Sequence, residues 1–284
     1  MHWSVKMSAK LALSRLPFDY RVWRKIGFFR LGEMETTAYA LKIFRLHEQE
    51  CWPEGLPRDF TAFELGCGDS VASALTAAGR GARKIWLADT GPYASRDIAL
   101  YKKMARELNA EGVTAPDISQ AGSLEDILSA CRAEYVTHGL ESLRAIPSGS
   151  VDFVWSHSVL EHVRKREFLD TMKELRRVLK KTGRASHNVN LQDHLGYALN
   201  NLRFSESLWE SECFAGAGFY TNRLRYRQML DLMCQAGFSV LSEDSGRWDK
   251  IPTPRERMAE PFRNLPEDEL LIRTCHIVLT PGKD

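Results

Sequence analysis

Residues 63–70, Phe-Glu-Leu-Gly-Cys-Gly-Asp-Ser, have the pattern of an apolar strand, a glycine bend and the start of a helix. Glycines in such a bend let the backbone approach a ligand closely. The free N–H groups of the helix start can meet polar atoms. A carboxylate, Asp89, closes the next apolar run, Lys84-Ile85-Trp86-Leu87-Ala88. An acid placed there can accept hydrogen bonds from both hydroxyls of a ribose.

Two ligand classes carry such a ribose. A dinucleotide calls for a third glycine at position 71 and a bend that tolerates a diphosphate. Position 71 is Val71, and Asp69 puts negative charge where the diphosphate would sit. Like charges at short range are costly. S-adenosylmethionine has no phosphate and carries an ammonium and a sulfonium, which suit nearby carboxylates such as Glu64 and Asp69. The electrostatics therefore favour it over NAD.

A second set of residues could move a proton: His157, Glu161, His162, His187, Asp193 and His194. Asp193 and His194 are the favoured base, with His157 also a catalytic candidate. The alternative is that both cap or bond within their own loop. Glu161 and His162 read as a structural pair at a helix start. As metal ligands they would supply one acid and one histidine, but Ser158 stands where a second acid would be, so no metal is expected.

The elements around these residues alternate. Apolar runs over 60–65, 84–88, 134–137, 151–155, 184–191, 238–243 and 270–279 read as strands. Helical spacing covers 69–78, 96–110, 164–179 (ended by Gly183) and 223–236. Strands alternating with helices imply a parallel sheet covered on both faces. Residues 1–55 read as an N-terminal helical cap and 56–284 as the main domain. The first 30 residues hold seven Lys/Arg (Lys6, Lys10, Arg15, Arg21, Arg24, Lys25 and Arg30) against one acid, Asp19, interleaved with apolar and aromatic residues, a composition that could touch an anionic lipid surface; Pro17 and the irregular spacing favour a packed cap. Residues 192–222, rich in aromatics, Asn, Ser and Gly, interrupt the rhythm. A long insertion after a strand's C-terminal end lies over the ligand crevice, so it reads as a lid insertion.

Composition excludes several classes. Hydrophobic residues are 44% and charged residues 27%, a globular balance. A net charge of +2 argues against a dedicated nucleic-acid binder. Cys51, Cys67, Cys131, Cys213, Cys234 and Cys275 form no Cys-x-x-Cys pair, as in a reducing compartment. No secretory signal or transmembrane run is visible, so a cytoplasmic location is expected.

Several of these stretches together resemble the class I S-adenosylmethionine-dependent methyltransferases. Glu64-Leu65-Gly66-Cys67-Gly68 with Asp89 is similar to their first two motifs. Residues 150–163 are similar to their fourth strand and its loop, and residues 175–184 to the helix and turn before the fifth. Ala236-Gly237-Phe238 and the last two strands resemble their C-terminal hairpin. The likeness covers roughly 60–190 and 223–280, and departs at Ser70, where a glycine is common. More loosely, Gly68-Asp69-Ser70, residues 191–194 and residues 220–224 are similar to bacterial members of glycan or secondary-metabolite pathways.

The resemblance implies a Rossmann-like, doubly wound α/β sheet, mostly parallel with a C-terminal antiparallel hairpin. It places Gly66, Cys67 and Gly68 along the methionine part of the cofactor, with Glu64 behind the ammonium. Asp89 and Thr90 would face the ribose, and Leu140 and Glu141 the adenine. His157 would face cofactor or substrate. The motifs of amino-methylating DNA enzymes, cytosine-C5 enzymes and arginine methyltransferases are absent. What remains is a small-molecule or glycan acceptor, with O-methylation of a sugar or natural product favoured. A catalytically silent cofactor-binding subunit and a small-molecule N-methyltransferase are the alternatives.

Overall fold

The computed structural model describes residues 2–15 and 34–282. Of the basic, aromatic first 30 residues, 2–15 are described and 16–30 lie outside the described residues. Strands β1 (Thr61–Leu65), β2 (Lys84–Ala88), β3 (Ala133–Val136), β4 (Val151–His157), β5 (Leu179–Asn190), β6 (Phe238–Arg247) and β7 (Ile272–Pro281) form one sheet. Their order is β3-β2-β1-β4-β5-β7-β6. β1 to β5 pair in parallel, and β7 runs antiparallel to both β5 and β6. The mostly parallel sheet with an antiparallel C-terminal hairpin is the one expected.

The helices are α1 (Trp3–Leu13), α2 (Thr37–Cys51), α3 (Ala72–Gly79), α4 (Ile98–Ala110), α5 (Leu124–Ala130), α6 (Leu140–Arg144) and α7 (Phe168–Val178). After them come two short helices, α8 (Glu206–Trp209) and α9 (Glu212–Ala215), then α10 (Tyr226–Gln235), and between β6 and β7 the short α11 (Glu260–Arg263) and α12 (Glu267–Leu271), the last taking residues 270–271 from the expected final strand. Every residue of β1 is buried because helices cover both faces of the sheet. Side chains alternate across it. Ala62, Phe153 and Trp155 face Phe44 of α2, Leu75 of α3 and Met104 of α4. Phe63, Val154 and Ala185 face Phe168 and Leu175 of α7 and Met229 of α10. Among the described residues, no helix is long and apolar enough to cross a membrane.

Several expected boundaries move. The helix after the bend starts at Ala72 rather than Asp69, because the Ser70 hydroxyl donates to the Met34 carbonyl and the Val71 N–H to the Tyr101 hydroxyl. α7 stops at Val178, and Gly183 lies inside β5. There the β4–β5 register jumps from Val151↔Leu179 to Phe153↔Arg184. A Cβ on Gly183 would stand 2.7 Å from the Leu179 side chain, so the bulge requires glycine. The N-terminal helices separate. α2 packs on the sheet through Phe44, whereas α1 packs Trp3, Met7 and Leu11 on the 192–222 segment.

Candidate cofactor and acceptor site

The strand order reverses beside β1, whose neighbours are β2 and β4. A crevice opens beyond the C-terminal ends of strands at such a switch point. The register sets what lines it. Leu65 pairs with Ala88 and Glu64 with Trp155, so Gly66, Asp89 and His157 end their strands in one row.

The bend joins this row. Gly66 has φ +78° and Gly68 φ +64°, a region open to glycine. A Cβ on Gly66 would meet Val159 at 2.3 Å. The Gly66 N–H donates to the Ala88 carbonyl at 2.7 Å. Asp89 accepts the Gly68 N–H at 3.0 Å and the Thr90 N–H at 2.8 Å. Burial holds its pKa above the usual carboxylate value against these bonds. The Cys67 side chain is buried, and burial keeps its thiol neutral.

Glu64 points into the layer under α2. It accepts from the Ser73 hydroxyl and from the Trp155 indole N–H at 3.0 Å. Burial pushes its pKa to about 7. Each of its oxygens thus already takes a protein donor. The Gly139 N–H donates to the Asp89 carbonyl at 2.9 Å, which carries Leu140 and α6 to the same edge. Glu141 turns outward to Arg144, 2.5 Å away.

His157 stands at the tip of β4, before Ser158 with φ +55°. Its Nδ1 lies 3.3 Å from Nε2 of His47 on α2. His47 continues through Ser186 at 2.6 Å to His276 at 2.7 Å. Burial lowers the His157 pKa to about 4, with His276 and Lys42 adding. His187 sits deeper, 2.8 Å from the Ser156 hydroxyl, and burial lowers it to about 3.

Asp193 is 1% exposed, and its carboxylate is filled from its own loop. Oδ1 accepts the N–H groups of Leu195 and Gly196, and Oδ2 accepts the backbone and side-chain N–H of Asn200. Little is left to take a substrate proton. His194 lies with Glu161 and His162, not with Asp193's oxygens. Burial lowers its pKa to about 3.

The linear reading missed three groups. His47 approaches from a helix remote in sequence. Tyr135 holds the loop after β2 through Gly91 O, Tyr93 N and Ala94 N. Arg225 is buried and donates to the carbonyls of Leu191, Glu269 and Ile272, tying down the base of the 192–222 segment. An isolated Tyr or Arg gives no periodic signal, so only a contact could reveal them.

Residues 63–186 match the family model described as a methyltransferase domain. Residues 63–186 therefore carry a methyltransferase domain. A search of curated proteins by sequence gives no match. Among solved structures, this chain is similar to a Methanosarcina mazei S-adenosylmethionine-dependent methyltransferase at 16% identity, with 82% of this chain and 97% of that chain covered and a TM-score of 0.47. It is also similar to a chain of the Haloferax volcanii complex between the Trm112 methyltransferase activator and a methyltransferase: 17% identity, coverage 88% and 97%, TM-score 0.44. A third is an arsenic(III) S-adenosylmethionine methyltransferase from Chlamydomonas reinhardtii: 16% identity, coverage 87% and 73%, TM-score 0.45.

The cofactor of the methyltransferase domain is S-adenosylmethionine, and the residues of the bend fit it. Asp69 and Asp89 place carboxylates at the bend, which suit a cationic ligand and oppose a diphosphate. Each Asp89 oxygen holds one backbone N–H and keeps a second lone pair for a hydroxyl.

Proposed function

We propose that the protein transfers the methyl group of S-adenosylmethionine to a hydroxyl of a sugar, glycan or small natural product. The observation that carries this is the Asp89 carboxylate bonded to Gly68 across the switch point, level with His157. In the proposed complex Asp89 and Thr90 hold the ribose, and Gly66, Cys67 and Gly68 line the methionine part. Leu140 flanks the adenine, and Glu64 supports the bend through Ser73 and Trp155. When bound, the cofactor supplies an electrophilic methyl carbon for in-line attack. The protein's part is to orient the acceptor oxygen and take its proton.

His157 is the proposed proton acceptor. Its neutral ring ends in the crevice row, and His47 and Ser186 orient it. A hydroxyl acceptor is supported by Asn201 Oδ1, which is buried without a partner among the described residues and could take a hydroxyl. The 192–222 segment forms the outer wall of this acceptor side, and the working compartment is the cytoplasm.

Calorimetry with S-adenosylhomocysteine, followed by turnover of methyl-labelled cofactor with pooled cell-extract acceptors, tests the reading. Wild type is expected to bind and to label a hydroxylated product. Asp89→Ala should weaken binding at least about tenfold, the loss of roughly 1.4 kcal/mol or more from hydrogen bonds to a charged group. Absence of binding by wild type would end the proposal. Binding without any labelled product would leave a silent cofactor-binding subunit.

A further inference from the structure

Glu161, His162 and His194 converge where β4 and β5 end, beneath the 192–222 segment. One donor atom from each lies within 4.8 Å of the others. Glu161 is 2% exposed. Its Oε1 accepts the Asn190 N–H at 3.3 Å, while Oε2 is buried with no partner among the described residues. Nε2 of His194 is likewise buried and unpartnered. His162 Nδ1 lies 2.9 Å from the Tyr220 carbonyl. A ring nitrogen that faces a carbonyl carries the proton, so the lone pair of neutral His162 is on Nε2. Histidines that bind metals are oriented by such an outer bond to a carbonyl.

Buried acceptor atoms without donors are costly, and each calls for an explanation. A cation between them would satisfy both Glu161 Oε2 and His194 Nε2 and take the Nε2 lone pair of His162 as a third donor. We propose that Glu161, His162 and His194 bind one divalent transition-metal ion as a set of two imidazoles and one carboxylate. Imidazole-containing sets select zinc, cobalt, nickel or iron over magnesium and calcium, which take oxygen donors. Three protein ligands leave at least one coordination position open. His162 is solvent-exposed, which gives the ion an entry path.

Lys6 and Lys10 of α1 face the cluster, and their charge opposes a cation. Lys10 donates to the Gly218 carbonyl at 2.9 Å, which holds part of that charge on the loop. Glu161 and His162 alone made a poor ligand set in the linear sequence. The fold adds His194, bringing its ring centroid to 4.9 Å from that of His162. The site stands independently of methyl transfer.

The test is direct metal binding by the chelator-stripped full chain. Dialysis against micromolar zinc, with metal analysis, is expected to leave one equivalent bound. Cobalt(II) should give visible ligand-field bands that zinc abolishes and magnesium does not. His162→Gln, at an exposed position, should weaken zinc at least about tenfold, the loss expected even of an outer partner. Glu161→Gln and His194→Ala should do the same, with circular dichroism checking their fold. Wild type that retains no zinc and shows no cobalt bands would overturn the site. So would retention of magnesium alone, or zinc binding unchanged in His162→Gln.

Discussion

The Asp193 carboxylate takes four N–H donors from Leu195, Gly196 and Asn200, and so holds the turn that follows β5. An Asp next to a His reads in sequence as a base with its orienting partner. Adjacent residues point apart, and the fold gives the two separate surroundings: a closed loop for Asp193, and Glu161 and His162 for His194. Asp193→Ala should therefore act on stability. Stranding several buried donors costs about 1–3 kcal/mol for each group left unpaired. The expected result is a lower melting temperature, with labelled-methyl turnover per folded molecule kept within a few-fold. A large loss of turnover at unchanged melting temperature would instead restore Asp193 as the base.

Among elements, the 192–222 segment departs most from simple strand–helix patterning. Its aromatics build a small core of their own, with Trp209 fully buried against Phe204, Phe214, Phe219 and Tyr220. The Trp209 indole N–H donates to the Thr221 carbonyl at 2.7 Å, and Trp3, Met7 and Leu11 of α1 close the other side. This wall is packed like a domain core, and its stiffness comes from those rings. Trp209→Ala leaves a cavity that costs about 3–5 kcal/mol. Urea unfolding should show the loss. Affinity for S-adenosylhomocysteine in the folded fraction should stay near wild type, because the bend at Gly66–Gly68 packs against Val159 and belongs to other cores. A parallel loss of cofactor affinity would mean that the segment reaches the bend.

Across the whole molecule, buried histidines and carboxylates set opposite pH limits. Burial lowers His47 well below its usual value, His157 to about 4, and His187 and His194 to about 3. Below an unfolded value near 6.5 the unfolded chain binds more protons, so acid removes stability. Glu64 and Glu161 are raised to about 7 and about 8. Above an unfolded value near 4.5 the unfolded chain ionises first, so alkali also removes stability, until those folded values are passed. Histidines outnumber the two acids below pH ~6.5, and only the acids act above it. The urea midpoint of the metal-free chain should peak near pH ~6.5 and fall on both sides. Glu161→Gln should flatten the alkaline fall, and an unchanged fall at pH ~8 would show that Glu161 is ionised in the folded chain.

The sequence by itself determined the alternating elements, the glycine bend and the Asp89 that ends β2, because strand and helix periods and glycine conformations are local properties of the chain. It also determined the order in which these come, and with it the parallel sheet, while the antiparallel end was implied only by the resemblance to class I methyltransferases. Tertiary structure decided which side chains meet. His47 reaches His157 from α2, Arg225 ties three distant carbonyls, and His194 lies beside Glu161 and His162. Such meetings depend on burial and on partners far apart in the chain, and no spacing along one strand or helix encodes them.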